Sequence, residues 1–271
     1  MNNKDLYEVI KNHKDETREA YSDGTIKDLQ DLNSSKYERI EINFPWGVRR
    51  CLQKKSQKDY LLIQKARGGS VTLEEEVSIE EDLAMAKESL DKIKEIDRIR
   101  IEELDFLVES NILNLPKDAI FAELGFRSGK LLKYYIENYN MEAYGYDVID
   151  SNVAVAKCLG FNALLYDFND CSKELDLKNA DLVVSYHMLE HVTNPFDSVK
   201  KIYESMKNKS YFHVEIPLEP NGPNIRYCHM YPFHQGDMLQ MLQQSGFTVL
   251  TYNNKVQVGG PQVERYLAIK N

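Results

Sequence analysis

The run His187-Met188-Leu189-Glu190-His191 places two imidazoles and a carboxylate at positions i, i+3 and i+4. On a helical turn these positions share one face, so the three groups converge. Such a set is a partial shell for Mn²⁺, Mg²⁺ or Fe²⁺. Some 60 residues earlier, Glu123-x-Gly125-x-x-x-Gly129 follows the apolar run from Ala119 and precedes Leu131, Leu132 and Tyr135 at helical spacing. This reads as strand, tight turn, helix, the place where α/β proteins hold a nucleotide-like ligand. The glycines admit the ligand close to the backbone, and Glu123 can accept from hydroxyls or an ammonium. Asp147, 22 residues after Gly125 at the tip of the next predicted strand, is placed to take both hydroxyls of a ribose. Asp167-Phe168, at the tip of a third, offers a hydrogen bond to an adenine amine and an apolar face beside the ring. Acidic tips on successive strands indicate an adenosine-type ligand.

The elements that must position these residues can be read from periodicity. From residue 117 onward strands and helices alternate: strands at Ala119–Leu124, Glu142–Tyr146, Asn162–Tyr166, Asp181–Ser185 and Ser210–Ile216, with helices between them, a helix from Gln235 to Ser245, and a closing pair, Phe247–Tyr252 and Val263–Ile269. Leu182-Val183-Val184 is apolar throughout, as a strand covered on both faces should be. Alternation of this kind specifies a mostly parallel, doubly wound sheet with right-handed crossovers. Residues 1–112 read as an accessory cap and 113–271 as the catalytic domain. In the cap we expect a short amphipathic helix near the start and a strand from Tyr37 to Phe44 broken by Pro45-Trp46-Gly47. The run Tyr60-Leu61-Leu62-Ile63 is expected to pair with that strand. A capping box, Ser78-Ile79-Glu80-Glu81, opens one long helix to about Ile112.

The chain has 271 residues, is 42% hydrophobic and 28% charged, and carries a formal net charge of −9. That balance is globular and makes tight, sequence-independent nucleic-acid binding unfavourable. With no apolar run near 18 residues and no apolar leader at Met1-Asn2-Asn3-Lys4-Asp5, neither a membrane span nor a secretory signal is expected, and the cytoplasm is the expected compartment. Cys51, Cys158, Cys171 and Cys228 lack the Cys-x-x-Cys spacing of a zinc ribbon and are expected to be reduced.

Over residues 113–271 the chain resembles the class I S-adenosylmethionine-dependent methyltransferases. The resemblance rests on Glu123-x-Gly125-x-x-x-Gly129, Asp147, Asp167, the run Tyr186 to Val192 and the Gly246-Phe247 turn. It implies a Rossmann-like, seven-stranded sheet with its last strand antiparallel, and S-adenosylmethionine as cofactor: the glycine turn against the methionine part, Asp147 on the ribose, Asp167 and Phe168 at adenine. Arg127 stands where the family usually has its middle glycine, and either pairs with the cofactor's carboxylate or points to solvent. The run His187-x-x-Glu190-His191 is also similar to the Glu-x-x-Glu-His of metal-dependent small-RNA 3′-end methyltransferases. Their remaining histidine comes from the loop after the fifth strand, which matches His229 and His234 here. In metal-free relatives the same Leu-Glu-His-Val run settles a turn.

Transfer to an alcohol needs an in-line approach and a base. His187 and His229 are the expected bases, with Glu190 or Glu215 as orienting acids, while His213 is expected to be structural. Trp46, Tyr227, Tyr231 and Phe233 are read as packing residues that can also wall a pocket. The expected activity is O-methylation of a small sugar, phosphorylated or nucleotide-linked acceptor, such as a capsular phosphoramidate precursor. A divalent metal is one option, and a homodimer is an expected assembly. The alternatives are a metal-dependent RNA 2′-O-methyltransferase and a non-catalytic, cofactor-binding scaffold.

Overall fold

A computed structural model describes residues 3–30, 37–54, 57–74, 77–92, 95–219, 229–256 and 262–271. Tyr227 and Cys228 lie outside them; Cys51, Cys158 and Cys171 are free thiols.

The strands after residue 117 are β3 (Ile120–Leu124), β4 (Glu142–Asp147), β5 (Asn162–Leu165), β6 (Leu182–Tyr186), β7 (Tyr211–Pro217), β8 (Thr248–Val256) and β9 (Gln262–Ile269). They form one sheet in the order β5-β4-β3-β6-β7-β9-β8, with β9 antiparallel to both neighbours. The order reverses between β3 and β6, which pair in parallel from Phe121↔Leu182 to Leu124↔Ser185. A crevice opens beyond the carboxyl ends at such a point. Alternation sends successive residues to opposite faces. Ala122, Leu124 and Val183 join one core with Phe212 and Val214, whereas Phe121, Leu182 and Val184 join the other with Leu132 and Tyr135. Covering these faces are α6 (Lys130–Tyr139), α7 (Asp150–Cys158), α8 (Pro195–Ser205) and α9 (Asp237–Ser245). The expected Rossmann-like α/β sheet is therefore present with its last strand reversed.

The N-terminal region departs from expectation in three places. Its first helix, α1 (Asn3–Ser22), spans 20 residues rather than a short stretch and is followed by α2 (Thr25–Gln30). The partner of β1 (Tyr37–Phe44) is β2 (Gly47–Lys54), so Pro45-Trp46 is a hairpin turn, not a break. Tyr60 to Ile63 instead lies in the helix α3 (Gln57–Gly68). A four-residue apolar run fits either element, and here Tyr60, Ile63 and Gln64 are buried at helical spacing. The strand character of β2 comes from docking: Phe44 stacks on Trp46 at 4.9 Å and meets Phe196 and Tyr231 edge-on, and Arg49 pairs with Asp237. The third departure is that the long helix is two, α4 (Ile79–Asp91) and α5 (Glu95–Glu109). No glycine or proline marks the break; Lys92 turns extended and its N–H donates to the Ser89 carbonyl. The Ser78–Glu81 capping box is formed, at 3.2 and 2.7 Å.

Buried polar links tie α1 to α7 and to α4. His13 Nδ1 lies 2.9 Å from Ser151 Oγ. The Lys14 ammonium pairs with Asp82 of α4, whose other oxygen accepts the Thr72 N–H. Both partners of the pair are buried, with side chains 5% and 1% exposed. Removing one leaves a charge without compensation. Asp82→Ala is therefore expected to cost about 3–5 kcal/mol in urea unfolding, and the double variant Lys14→Met/Asp82→Leu less than that.

Candidate active site

The turn after β3 forms the floor of a cavity of about 750 Å³. Gly125, Arg127 and Gly129 all have left-handed backbones, φ +76°, +49° and +75°. A Cβ at Gly125 would lie 2.7 Å from Met188 Cγ, so the position admits only glycine. Arg127 adopts a left-handed backbone that glycine takes more easily, at a cost of about 1–2 kcal/mol. Its N–H donates to Asp147 Oδ2 at 2.9 Å and its side chain is exposed at the cavity wall. Asp147 is buried, which raises its pKa against the N–H donors of Ile149 and Arg127. Glu123 is buried with Oε2 lacking any partner, and burial pushes its pKa well above the usual carboxylate range. Asp167 accepts from the Asn169 N–H and side-chain amide, beside the buried ring of Phe168. All the expected cofactor residues except Gly129 line this cavity; Gly129 sits at the start of α6.

The N-terminal region forms the roof, through Tyr60, Gln64 and Arg67 of α3, Ser89 of α4 and Arg100 of α5. The Tyr60 hydroxyl donates to the His191 carbonyl at 3.0 Å. At the other end of α3 the Gly68 carbonyl accepts from Asn152, and Ser70 Oγ donates to the Arg127 carbonyl at 3.0 Å. Composition and periodicity gave no sign of these roof residues, because a helix face that covers a cavity reads like one that covers a core.

At the opposite end, a 3-10 turn (Leu189–His191) follows β6. The N–H groups of Met230 and Tyr231 donate to the Glu190 carbonyl, at 2.7 and 3.1 Å, and so bring His229 against this turn. Glu190 is 1% exposed and faces three imidazoles: His187 Nδ1 at 3.2 Å, His191 Nε2 at 4.0 Å and His229 Nε2 at 4.0 Å. Neither carboxylate oxygen makes an aligned hydrogen bond. Burial raises the Glu190 pKa, but the imidazoles outweigh it and bring the value down to about 2. Ligand atoms of Glu190, His191 and His229 lie within 4.8 Å of one another. His229 Nδ1 also lies 2.8 Å from Glu219, which orients the ring.

Two expectations about this cluster change. His187 precedes the turn with φ +52° and does not join the three potential ligands. It sits between Glu190 and Glu215, its Nε2 3.0 Å from the latter. Burial opposes its charge, but the two carboxylates outweigh burial and raise its pKa to about 9. Its place between two carboxylates favours the protonated, donating form over the neutral form a base needs. His234 is absent from the cavity lining, and its N–H donates to Asp237 near the start of α9. Trp46, Tyr231 and Phe233 pack in the core and do not line the cavity, and buried His213 lies against the Tyr186 hydroxyl.

Residues 96–252, more than half of the chain, match the family described as methyltransferase domain. The chain belongs to this methyltransferase family. A search of curated proteins gives no match. Among solved structures it is similar to phosphoethanolamine N-methyltransferase 2 of Haemonchus contortus in complex with S-adenosyl-L-methionine. The identity is 12% and the TM-score 0.50, over 61% of this chain and 52% of that one. A SAM-dependent methyltransferase of Archaeoglobus fulgidus is 19% identical, with a TM-score of 0.46, over 62% of this chain and 94% of that one. The methyltransferase uses S-adenosylmethionine, and the unpartnered Glu123 oxygen together with the open, left-handed turn beneath the cavity fits it. Among the described residues no helix is long and apolar enough to cross a membrane.

His187 gives a pH test. Its folded pKa is raised, so its imidazolium stabilises the fold fully below the ordinary value near 6.5, and that contribution fades as pH climbs through about 9. In metal-free protein its ring proton should titrate by NMR well above pH 7, and Glu190→Gln should move the midpoint down. A midpoint below 7 in the unsubstituted chain would contradict the assignment.

Proposed function

We propose that the methyltransferase O-methylates a small oxygen-rich acceptor, a sugar, phosphorylated or nucleotide-linked metabolite, with a divalent ion such as Mn²⁺ or Mg²⁺ held by Glu190, His191 and His229. The observation that carries this reading is the buried Glu190 carboxylate, unaligned to any donor and ringed by imidazole nitrogens. Ligand atoms about 2.0–2.2 Å from one ion stand about 3–4 Å apart, close to the spread found here. The Glu219–His229 contact is the outer partner that metal-bound histidines usually have.

Bound S-adenosylmethionine supplies an electrophilic methyl group, and the ion supplies a Lewis acid that makes an acceptor hydroxyl easier to deprotonate. Asp147 and Asp167 hold the adenosine, and the Gly125–Gly129 turn shapes the methionine end. The acceptor's proton would leave to solvent, and His187, between Glu190 and Glu215, would donate a hydrogen bond that orients the deprotonated oxygen until methyl transfer neutralises it. Tyr60, tied to the His191 carbonyl, closes α3 over this end and limits water. Arg67 and Arg127 at the cavity wall would pair with an anionic acceptor, a class that includes a capsular phosphoramidate precursor. The net charge of −9 weighs against an RNA acceptor. Against the non-catalytic reading, Arg127 keeps the left-handed turn that a glycine would provide. Cytoplasmic residence and a homodimer accord with this reading.

A second reading rests on the same 2.8 Å contact: with Nδ1 held by Glu219, His229 Nε2 is itself a base, and no ion is needed. Chelation separates the two. Methyl transfer to a panel of sugar phosphates and nucleotide sugars should stop with chelator and return with Mn²⁺ or Mg²⁺. Glu190→Gln and His191→Ala should each lower kcat at least 100-fold, with S-adenosylhomocysteine affinity largely kept. Full activity in chelator would leave the metal-free base as the mechanism.

A further inference from the structure

We propose that Gln64, from the N-terminal region, holds the carboxylate of the cofactor's methionine portion. The inference follows from counting donors. The N–H of Gly125 goes to the Tyr146 carbonyl at 2.7 Å, that of Arg127 to Asp147 at 2.9 Å, and that of Gly129 to the Phe126 carbonyl at 2.9 Å. Three amides of the turn are thus committed within the protein. Glu123, Asp147 and Asp167 are acceptors, which suit hydroxyls and amines but repel a carboxylate; of the cations on the lining, Arg100 is bonded to Glu215 and Lys130 to Asp97, and Arg127 is exposed at the wall.

Among the described residues, the side-chain nitrogens buried without a hydrogen-bond partner belong to His13, Trp46, Gln64 and His187. Only Gln64 and His187 line the cavity, and His187 Nε2 already faces Glu215 at 3.0 Å. Gln64 remains. It is 6% exposed, and an amide nitrogen buried without a partner costs about 1–3 kcal/mol. A ligand oxygen removes that cost.

Its place on α3 fits the role. Tyr60, one turn before, is tied to His191 at the transfer end, and Gly68, one turn after, is tied to Asn152 beside the ribose carboxylate Asp147. Gln64 therefore stands over the middle of the cavity, between the two ends. On the floor below, Glu123 Oε2 is an unpartnered acceptor. An amide donor above and a carboxylate acceptor below are complementary to the carboxylate and ammonium of an α-amino acid.

The test compares two ligands on the full chain: S-adenosylhomocysteine, which carries the amino-acid head, and 5′-methylthioadenosine, which lacks it. By titration calorimetry, Gln64→Leu and Gln64→Glu should each weaken S-adenosylhomocysteine about ten- to hundred-fold, the range for a hydrogen bond to a charged group. Affinity for 5′-methylthioadenosine should stay within about twofold, which also reports an intact site in both variants. Equal losses for the two ligands would make Gln64 a structural residue of the roof, and no loss for either would remove it from the cofactor site; both overturn the proposal. The inference rests on the cofactor alone, so an inactive acceptor panel leaves it standing.

Discussion

Two carboxylates buried at the carboxyl ends of the central strands set the terms for the rest of the molecule. Glu215 is 0% exposed and Glu190 1%. An uncompensated charge at such depth costs several kcal/mol. Compensation comes from far along the chain: Arg100 of α5 donates to Glu215 Oε1 at 2.6 and 2.9 Å, Arg265 of β9 pairs with its other oxygen, and His187 bridges it to Glu190. Glu103 of α5 then takes the second side of Arg265 at 2.6 Å. Burial raises the Glu215 pKa, but the cations outweigh it and hold the group ionised. The chain of charges, rather than apolar packing alone, fixes α5 against β7 and β9.

That anchoring explains how the roof can belong to the site. α5 is pinned through Arg100 and Glu103, α4 through Asp82 to Lys14 of α1, and α3 through Tyr60 to the turn after β6 and through Gly68 to Asn152 of α7. All but the Lys14–Asp82 pair join a polar group of the N-terminal region to one of the sheet domain. Apolar area would hold these helices anywhere on the surface; directional bonds hold them in one register, so the same links that stabilise the roof place Gln64 and Arg100 over the floor.

What could be read in advance follows the physics of each feature. The sheet was legible because Leu182-Val183-Val184 and its neighbours must be covered on both faces, and the acidic strand tips were legible because Asp147 and Asp167 stand at fixed offsets from a glycine turn. Tyr60 to Ile63 misled because a short apolar run fits strand and helix equally, and the break after Asp91 was hidden because no residue there resists a helix. The cluster of Glu190, His191 and His229 was half legible. Spacing brought Glu190 and His191 together, but whether His187 or His229 completes the set depends on a left-handed residue and on two amides from a loop 40 residues later. Neither leaves a mark in local sequence. Gln64 and Glu219 were invisible for the same reason: their partners are distant in the chain.

The left-handed residues at the crevice are the last link. Arg127 and His187 follow the ends of β3 and β6, the two strands between which the order reverses. Each costs about 1–2 kcal/mol relative to an ordinary backbone, and each aims an N–H back into the fold: Arg127 to Asp147, His187 to the Glu215 carbonyl at 3.1 Å. The first bond positions the Asp147 carboxylate at the tip of β4. The second holds the turn that carries Glu190 beside the strand that carries Glu215. Strain at these two positions is offset by bonds to Asp147 and to the strand that carries Glu215, so relaxing either backbone would shift a carboxylate at the crevice before it disturbed the core.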